Sequence, residues 1–251
     1  MSAVAVVGSL SLDRIARARP TIGGGAFHAA RALRLATRHA QVLTRCGDAD
    51  RSFLVPRLAA LGVPARVLHG ARTTAFSFSY RGDRREMNVD AVGDSWSVDD
   101  VERLERRRRW VQVAPLLRSE LDADALAALA RGRTLLLDGQ GLVRVPRIGP
   151  LELDRAFDPA LLEHVSILKL AEEEAEVVGD VDVPELVVTH GARGATVRAG
   201  GRTVLVRAHA LAREPTGAGD AFGAAYLASR ADGFGPFSAA RRATSVVAAL
   251  L

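Results

Sequence analysis

The sequence predicts an α/β fold: a doubly wound, mostly parallel sheet flanked by helices, with a small β-hairpin lid. Three observations predict it. Short, fully apolar runs such as "WVQVAP", "TLLLDGQG", "VSILKL" and "ELVVTHG" read as strands buried on both faces. They alternate with segments that carry alanine and leucine at helical spacing, "GAFHAARALRLA" being the clearest, and this alternation marks a parallel sheet. One stretch breaks the rhythm: "TTAFSFSYRGDRREMNVD" alternates apolar and polar residues around Arg81-Gly82-Asp83, the pattern of a hairpin.

Taken in order, "AVAVVGSLSLD" opens as a strand, and a helix follows the Gly23-Gly24-Gly25 turn. "AQVLTRCG" is a strand, "DRSFLVPRLAALG" a helix stopped at Gly62, and "ARVLH" another strand. The hairpin between Thr73 and Asp90 forms the lid, and the four apolar strands come after it. "GATVRAGGRTVLVRA" reads as a second hairpin turning at Gly200-Gly201. No repeat, low-complexity tract or linker interrupts the pattern. Residues 1–251 are therefore expected to form one domain, with the lid contributed mainly by about 73–90.

With 48% hydrophobic and 25% charged residues, the composition is that of a globular protein with a sizeable core. No apolar run approaches the roughly 20 residues that span a bilayer. The N-terminal segment lacks a basic leader and reads as a buried strand, so neither a signal peptide nor a membrane partner is expected. The single cysteine, Cys46, leaves no internal disulfide and no cysteine-based metal site, which fits a reducing, cytoplasmic setting. The net charge of +5 comes from arginines spread along the chain; Lys169 is the only lysine. The one basic cluster, "RLERRRRW", reads as a solvated helix end before a strand. It lacks the interleaved aromatics that stack bases, so no nucleic-acid partner is expected.

In open parallel sheets, ligands bind outside the carboxyl ends of the strands. Asp13, Asp138, Lys169 and Thr189 all stand at such ends. Two glycine-rich turns, "GGGAFHAA" and "TGAGDAF", open helices, whose first N–H groups are unpaired and favour anions. Neither has GxxxxGK[ST] or GxGxxG spacing, so a phosphate loop and a dinucleotide fingerprint are both unsupported. Close helix–strand packing alone would also account for these glycines. In "TGAGDAF", however, Asp220 puts a carboxylate directly in the turn.

The order of the motifs goes further. "GSLSLD", "GGGAFHAARAL", "RCGDAD", "LKLAEEEAE", "VVTHGARGATV" and "EPTGAGDAF" follow one another from about Val4 to the end of the chain. Together they resemble the PfkB/ribokinase family of carbohydrate and nucleoside kinases. The resemblance implies a ribokinase-like fold, ATP as phosphoryl donor, Mg2+, and a small polyol, most simply a sugar, as acceptor. It implies that Gly217, Ala218 and Gly219 form an anion hole and that Asp220 takes the proton of the acceptor hydroxyl. The acceptor side comprises Asp13, Gly23, Gly24 and His28, with Asp138 and Gln140 facing the cleft. The donor side comprises Thr189, Gly191, Gly194 and Thr216, and Glu174 would place magnesium through water.

The chain also departs from the family pattern. His28 stands where many sugar kinases have asparagine, Ala171 replaces the asparagine of the N-x-x-E element, and Glu214 replaces an aspartate. Relatives usually add a further segment near the adenine after the last helix, so a reduced adenine pocket is expected. A nucleoside or cyclitol kinase and a non-catalytic binding relative are the alternatives to a sugar kinase. An exposed β edge on the lid invites pairing of two copies.

Overall fold

The first apolar run divides between two sheets. In the computed structural model, which describes residues 4–16, 18–37, 39–81, 84–208 and 216–250, β1 (Val4–Ser9) ends at Leu10. The chain re-enters a different sheet as β2 (Ser11–Ile15) and β3 (Thr21–Gly23). Then come α1 (Gly25–Ala36), β4 (Ala40–Gly47), α2 (Arg51–Ala59) and β5 (Ala65–Gly70). The hairpin is β6 (Thr74–Arg81) and β7 (Arg84–Ala91); its tip, Gly82-Asp83, lies outside the described residues. It is followed by α3 (Val98–Val101), β8 (Trp110–Ala114), α4 (Ala123–Ala130), β9 (Thr134–Asp138), α5 (Gln140–Val143) and β10 (Gly149–Pro150). The remaining elements are β11 (Ile167–Ala171), α6 (Glu172–Val178), β12 (Glu185–Thr189), β13 (Ala195–Ala199), β14 (Arg202–Val206), α7 (Ala218–Ala231) and α8 (Pro236–Leu250).

The central sheet has nine strands in the order β14-β13-β12-β11-β9-β8-β1-β4-β5. From β12 to β5 every pair is parallel, and β13 and β14 close one edge as an antiparallel hairpin. Both faces are covered. Val4 and Val6 of β1 pack with α1, α7 and α8, whereas Ala5 and Val7 pack with α4 and the short α5 on the other face. Period-two alternation with apolar residues on both sides is what makes these strands read as continuous hydrophobic runs.

The second sheet has the order β10-β7-β6-β2-β3, so the hairpin lies outside the central sheet but does not stand alone. Phe76, Phe78 and Val89 of the hairpin bury against Leu116 and Leu117. Glu120, with no exposed surface, ties the two sheets together. It accepts from Thr74 Oγ1 (2.6 Å) at the hairpin root and from Leu116 N (3.0 Å) beyond β8. Burial pushes its carboxyl above the usual range, against hydrogen bonds from Thr74, Leu116 and Ser9.

In the basic cluster Arg103, Arg106, Arg107 and Arg109 are exposed, as a solvated segment should be, and Arg108 is the exception. Arg108 is buried; it donates to Gln41 Oε1 (3.2 Å) and to the His39 carbonyl (2.9 Å), bracing the N-terminal ends of neighbouring strands. Among the described residues no helix is long and apolar enough to cross a membrane.

Candidate active site

The site assembles along the carboxyl ends of β12, β11, β9, β8 and β1, where α7 begins. Gly217 caps α7 with a left-handed φ of 83°. A side chain there would fall inside the His28 imidazole. His28 is buried on α1, edge-to-face with Phe27 at 5.4 Å, so it forms the floor under the turn. The N–H groups of the first α7 turn have no partner within the helix, and Asp220 stands among them, half-buried.

The Asp220 side chain is positioned by absences and by amides. A Cβ on Gly25 would come within 2.9 Å of its Oδ1, so the glycine that opens α1 leaves room for the carboxylate. Gln140 Nε2 donates to Oδ1 at 3.4 Å. Behind it, Gln112 Nε2 from the buried strand β8 donates to the Asp220 carbonyl at 3.3 Å and fixes the start of the helix. Burial pushes the Asp220 carboxyl above the ordinary range, opposed by Lys169 and Arg144 and helped by Glu174 and Asp13. A carboxylate raised towards neutrality is a better proton acceptor than a fully solvated one.

Next to the turn lies a buried ion pair. Lys169 Nζ on β11 is 3.2 Å from each carboxylate oxygen of Asp138, at the end of β9. Asp138 is 1% exposed and Lys169 5%. A Cβ on Gly219 would reach to 2.8 Å from Nζ. At Gly217 the His28 ring fills the space that a side chain would need, whereas a Cβ at Gly219 would meet only the end of the Lys169 side chain.

On the second sheet, Asp13 is buried and accepts from Ser11 Oγ at 2.6 Å. Its carboxylate folds over Gly23, where any side chain would overlap it. Gly24, with φ 95°, lets the chain pass against Ser9 and Ser11 before α1 starts. Asp13 is close enough to oppose ionisation of Asp220. Sheets are built with strands about 5 Å apart, so the residues at the ends of β9, β8 and β1 fall within reach of one small ligand.

The residues expected on the donor side lie at and beyond the end of β12, with Thr216 at the head of α7. Thr189 Oγ1 donates to the Leu170 carbonyl at 3.2 Å, and a tight turn at Gly191–Arg193 is closed by His190 N to the Gly194 carbonyl at 2.8 Å. Gly191 and Gly194 have φ of 56° and 109°, and a side chain on Gly194 would strike the Val206 carbonyl. Glu172 pairs with His190 Nδ1 (3.2 Å) and with Arg193 across this turn. Thr216 adjoins Gly217 at the head of α7, while Glu214 lies outside the described residues.

Glu174 is spoken for by the protein: Oε2 accepts from Ala171 N at 2.8 Å and Oε1 faces Arg144 at 3.5 Å. Among the described residues no group of three His, Cys, Asp or Glu could hold a metal ion. The residues present thus do not form a protein cage for Mg2+. Sequence reasoning singled out the strand-end positions but assigned no partners to Asp138 and Gln140, and it missed Gln112 and Arg144. A polar residue inside an otherwise apolar strand, as in "WVQVA", is the signal that would have found Gln112.

The model of the pfkB family of carbohydrate kinases matches residues 4–251. The chain belongs to that family. It is accordingly a phosphotransferase of the carbohydrate-kinase type. Solved structures of the ribokinase fold superpose over nearly its whole length. One is a pyrophosphate-dependent kinase in the ribokinase family, complexed with a pyrophosphate analog and myo-inositol, at 24% identity and TM-score 0.85, covering 98% of this chain and 94% of that one. Another is the Burkholderia thailandensis nucleoside kinase with inosine, at 22% identity and TM-score 0.77, covering 98% and 90%. A third is Arabidopsis thaliana ribokinase with ribose and ATP, at 18% identity and TM-score 0.72, covering 98% and 92%.

Proposed function

We propose that this pfkB-family kinase transfers the terminal phosphoryl group of ATP to a hydroxyl of a small polyol, most simply a sugar. The observation that carries this reading is the Asp220 carboxylate, standing in the first turn of α7 and fixed by Gln140 and the space at Gly25. Asp13 and the backbone at Gly23 and Gly24 hold the acceptor, and Asp138 and His28 support it from the central sheet and α1. The hydroxyl aimed at Asp220 gives up its proton as its oxygen attacks phosphorus. The N–H groups of Gly217, Ala218 and Gly219 meet the charge spread over the phosphoryl oxygens. Thr189, Gly191, Gly194 and Thr216 hold the donor.

Magnesium enters as a companion of the donor phosphates, since Mg2+ is usually bound through substrate phosphates and one or two carboxylates. Residues 1–251 act as one ribokinase-like domain, with the second sheet as its lid and as the surface through which two copies pair.

A cyclitol acceptor with pyrophosphate as donor is the second reading. It is supported by the likeness to the pyrophosphate-dependent kinase bound to myo-inositol. A two-by-three experiment tests both readings: ATP or pyrophosphate as donor, against panels of sugars, inositols and nucleosides, with phosphorylated product measured. Product from ATP and a sugar supports the first reading, product from pyrophosphate and an inositol replaces it with the second, and no product in any arm refutes both.

A further inference from the structure

The chain has 34 basic residues, and all but Lys169 are arginine. A protein that otherwise meets every need for positive charge with a guanidinium keeps one ammonium, and keeps it buried beside the α7 turn. A purely structural charge pair does not explain this choice. Buried ion pairs are often replaceable by apolar residues without loss of stability, and arginine is the usual partner of a buried carboxylate. What lysine alone offers here is a compact charge. The ammonium sits 3.2 Å from both oxygens of the Asp138 carboxylate, with the side-chain-free Gly219 next to it. A planar guanidinium would need the space that the turn occupies.

The surroundings call for a cation at that point. Asp138, Glu174 and Asp220 all act on Lys169, and Arg144 is the other cation in the group. Burial opposes the charge on Lys169, but the three carboxylates outweigh it and hold the amine above its ordinary value, so it remains an ammonium. An incoming phosphoryl group adds negative charge to a site that already holds a carboxylate base. The turn N–H groups carry only partial charges.

We propose that Lys169 is a catalytic residue: its Nζ, held by Asp138, donates to the transferring phosphoryl group from beneath the Gly217–Gly219 turn. This rests on the phosphotransfer reading above. In the step, the bond from phosphorus to the acceptor oxygen forms as the bond to the donor's bridging oxygen breaks. The electron pair of the broken bond stays on the donor, and the acceptor's proton passes to Asp220. Lys169 keeps its protons throughout and supplies a full charge where the backbone supplies dipoles. Asp138 is the positioning residue of the pair.

The test compares wild type with Lys169→Met, Lys169→Arg, Asp138→Asn and the double variant Asp138→Leu/Lys169→Met, which removes both charges together. Two readouts are taken: calorimetric binding of inorganic phosphate and of pyrophosphate, and turnover with whichever donor and acceptor the wild type uses. Loss of one hydrogen-bond donor to a developing oxyanion costs about 10²–10³ in kcat, and Lys169→Met is expected in that range with acceptor KM nearly unchanged. Phosphate binding should weaken about tenfold, since charge-assisted hydrogen bonds are the strong ones. Lys169→Arg should recover little of either, and Asp138→Asn should fall between. The acid limb of the pH–rate profile should move to higher pH in Lys169→Met, because Lys169 opposes the Glu174 and Asp13 charges that raise Asp220.

If Lys169→Met does not fold, the double variant replaces it, with the same expected losses. Wild-type phosphate affinity and turnover in either folded variant would overturn the proposal. If wild type transfers phosphate to nothing, the phosphotransfer reading fails by itself. The phosphate affinities of wild type and Lys169→Met then still decide whether Lys169 serves an anion at this turn.

Discussion

The turns that open α1 and α7 are both glycine-rich, yet their missing side chains serve opposite ends. The α1 turn is empty at Gly25 so that the Asp220 carboxylate of α7 can enter. The α7 turn is empty at Gly217 so that the His28 ring of α1 can lie beneath it. Each helix start makes room for the other's side chain, the proposed base in one case and a supporting ring in the other. A glycine in such a site is explained by what occupies its vacant space, and that occupant often comes from a distant part of the chain.

The largest expected effect breaks the reactive half. Asp220→Asn keeps the size of the side chain and removes the proton acceptor. General-base assistance is worth about 10²–10⁴-fold, so kcat should fall by that much while acceptor and donor still bind, as read by steady-state kinetics and calorimetry. Wild-type turnover in the folded variant would reduce Asp220 to a helix-start carboxylate. Gly25→Ala should approach the lower end of that loss, since a misplacement of about 1 Å can cost 10²-fold. Its Cβ would press on both Asp220 Oδ1 and Ala114 Cβ. A stable Gly25→Ala protein with full activity would break the claim that this space is kept for the base.

The supporting half should fail differently. Gly217→Ala adds a side chain at φ 83° and drives it into His28. Strained backbone of this kind costs about 1–3 kcal/mol, to be read as a lower midpoint in denaturant. Because the clash is with one named ring, His28→Ala in the same chain should recover part of the loss, a coupling visible in a double-mutant cycle. Additive losses would show that the strain lies in the backbone alone.

A pH series sharpens the contrast. In the proposed role Asp220 must be deprotonated to act, and its carboxyl is raised by burial. Activity should therefore fall, as pH is lowered, through an apparent pKa above the ordinary value of about 3.9. The stability effect has the opposite sense. Between the unfolded and folded pKa values the folded chain holds a proton that the unfolded chain has lost, so stability declines as pH rises through that window. Asp220→Asn should consequently be at least as stable as wild type at neutral pH, whereas Gly217→Ala should be less stable at every pH. The smallest effect belongs to the donor turn. Arg193→Ala removes an exposed ion pair with Glu172, and exposed pairs contribute about 0–1 kcal/mol, so donor KM should change by a few-fold at most. Gly194 is a poorer probe, since any side chain there strikes Val206 and disturbs the β13–β14 hairpin before it reaches a ligand.

Much of this was legible in the sequence because it is written in local pattern. The buried parallel strands, the hairpin from Thr74 to Ala91 and the turn at Gly200-Gly201 all follow from periodicity and turn residues. The carboxylate in the α7 turn stood out by composition alone. What stayed hidden depends on long-range contact. "AVAVVGSLSLD" carries no local sign that it splits at Leu10, where the break is made by Leu10 N reaching the Arg45 carbonyl and by Gly24 approaching from the far side. Arg108 looked solvated because its partners, His39 and Gln41, lie more than 60 residues away in sequence. Gln140 and Asp220, and likewise Asp138 and Lys169, are brought together only by the order of strands in the sheet.

Asp13 sits on the second sheet and Asp220 on a helix of the central one, with Glu120 as the strut between them. Under the proposed roles, an acceptor is gripped by one sheet and deprotonated by the other. The spacing between two rigid bodies then works as a gauge. A ring whose hydroxyls are chemically almost equivalent is read by how far the gripped pair lies from the attacking oxygen, and regiochemistry becomes a matter of reach. Shortening or loosening the strut, as in Glu120→Asp, should therefore blur which hydroxyl is phosphorylated before it slows the reaction, a change visible as a mixture of product regioisomers.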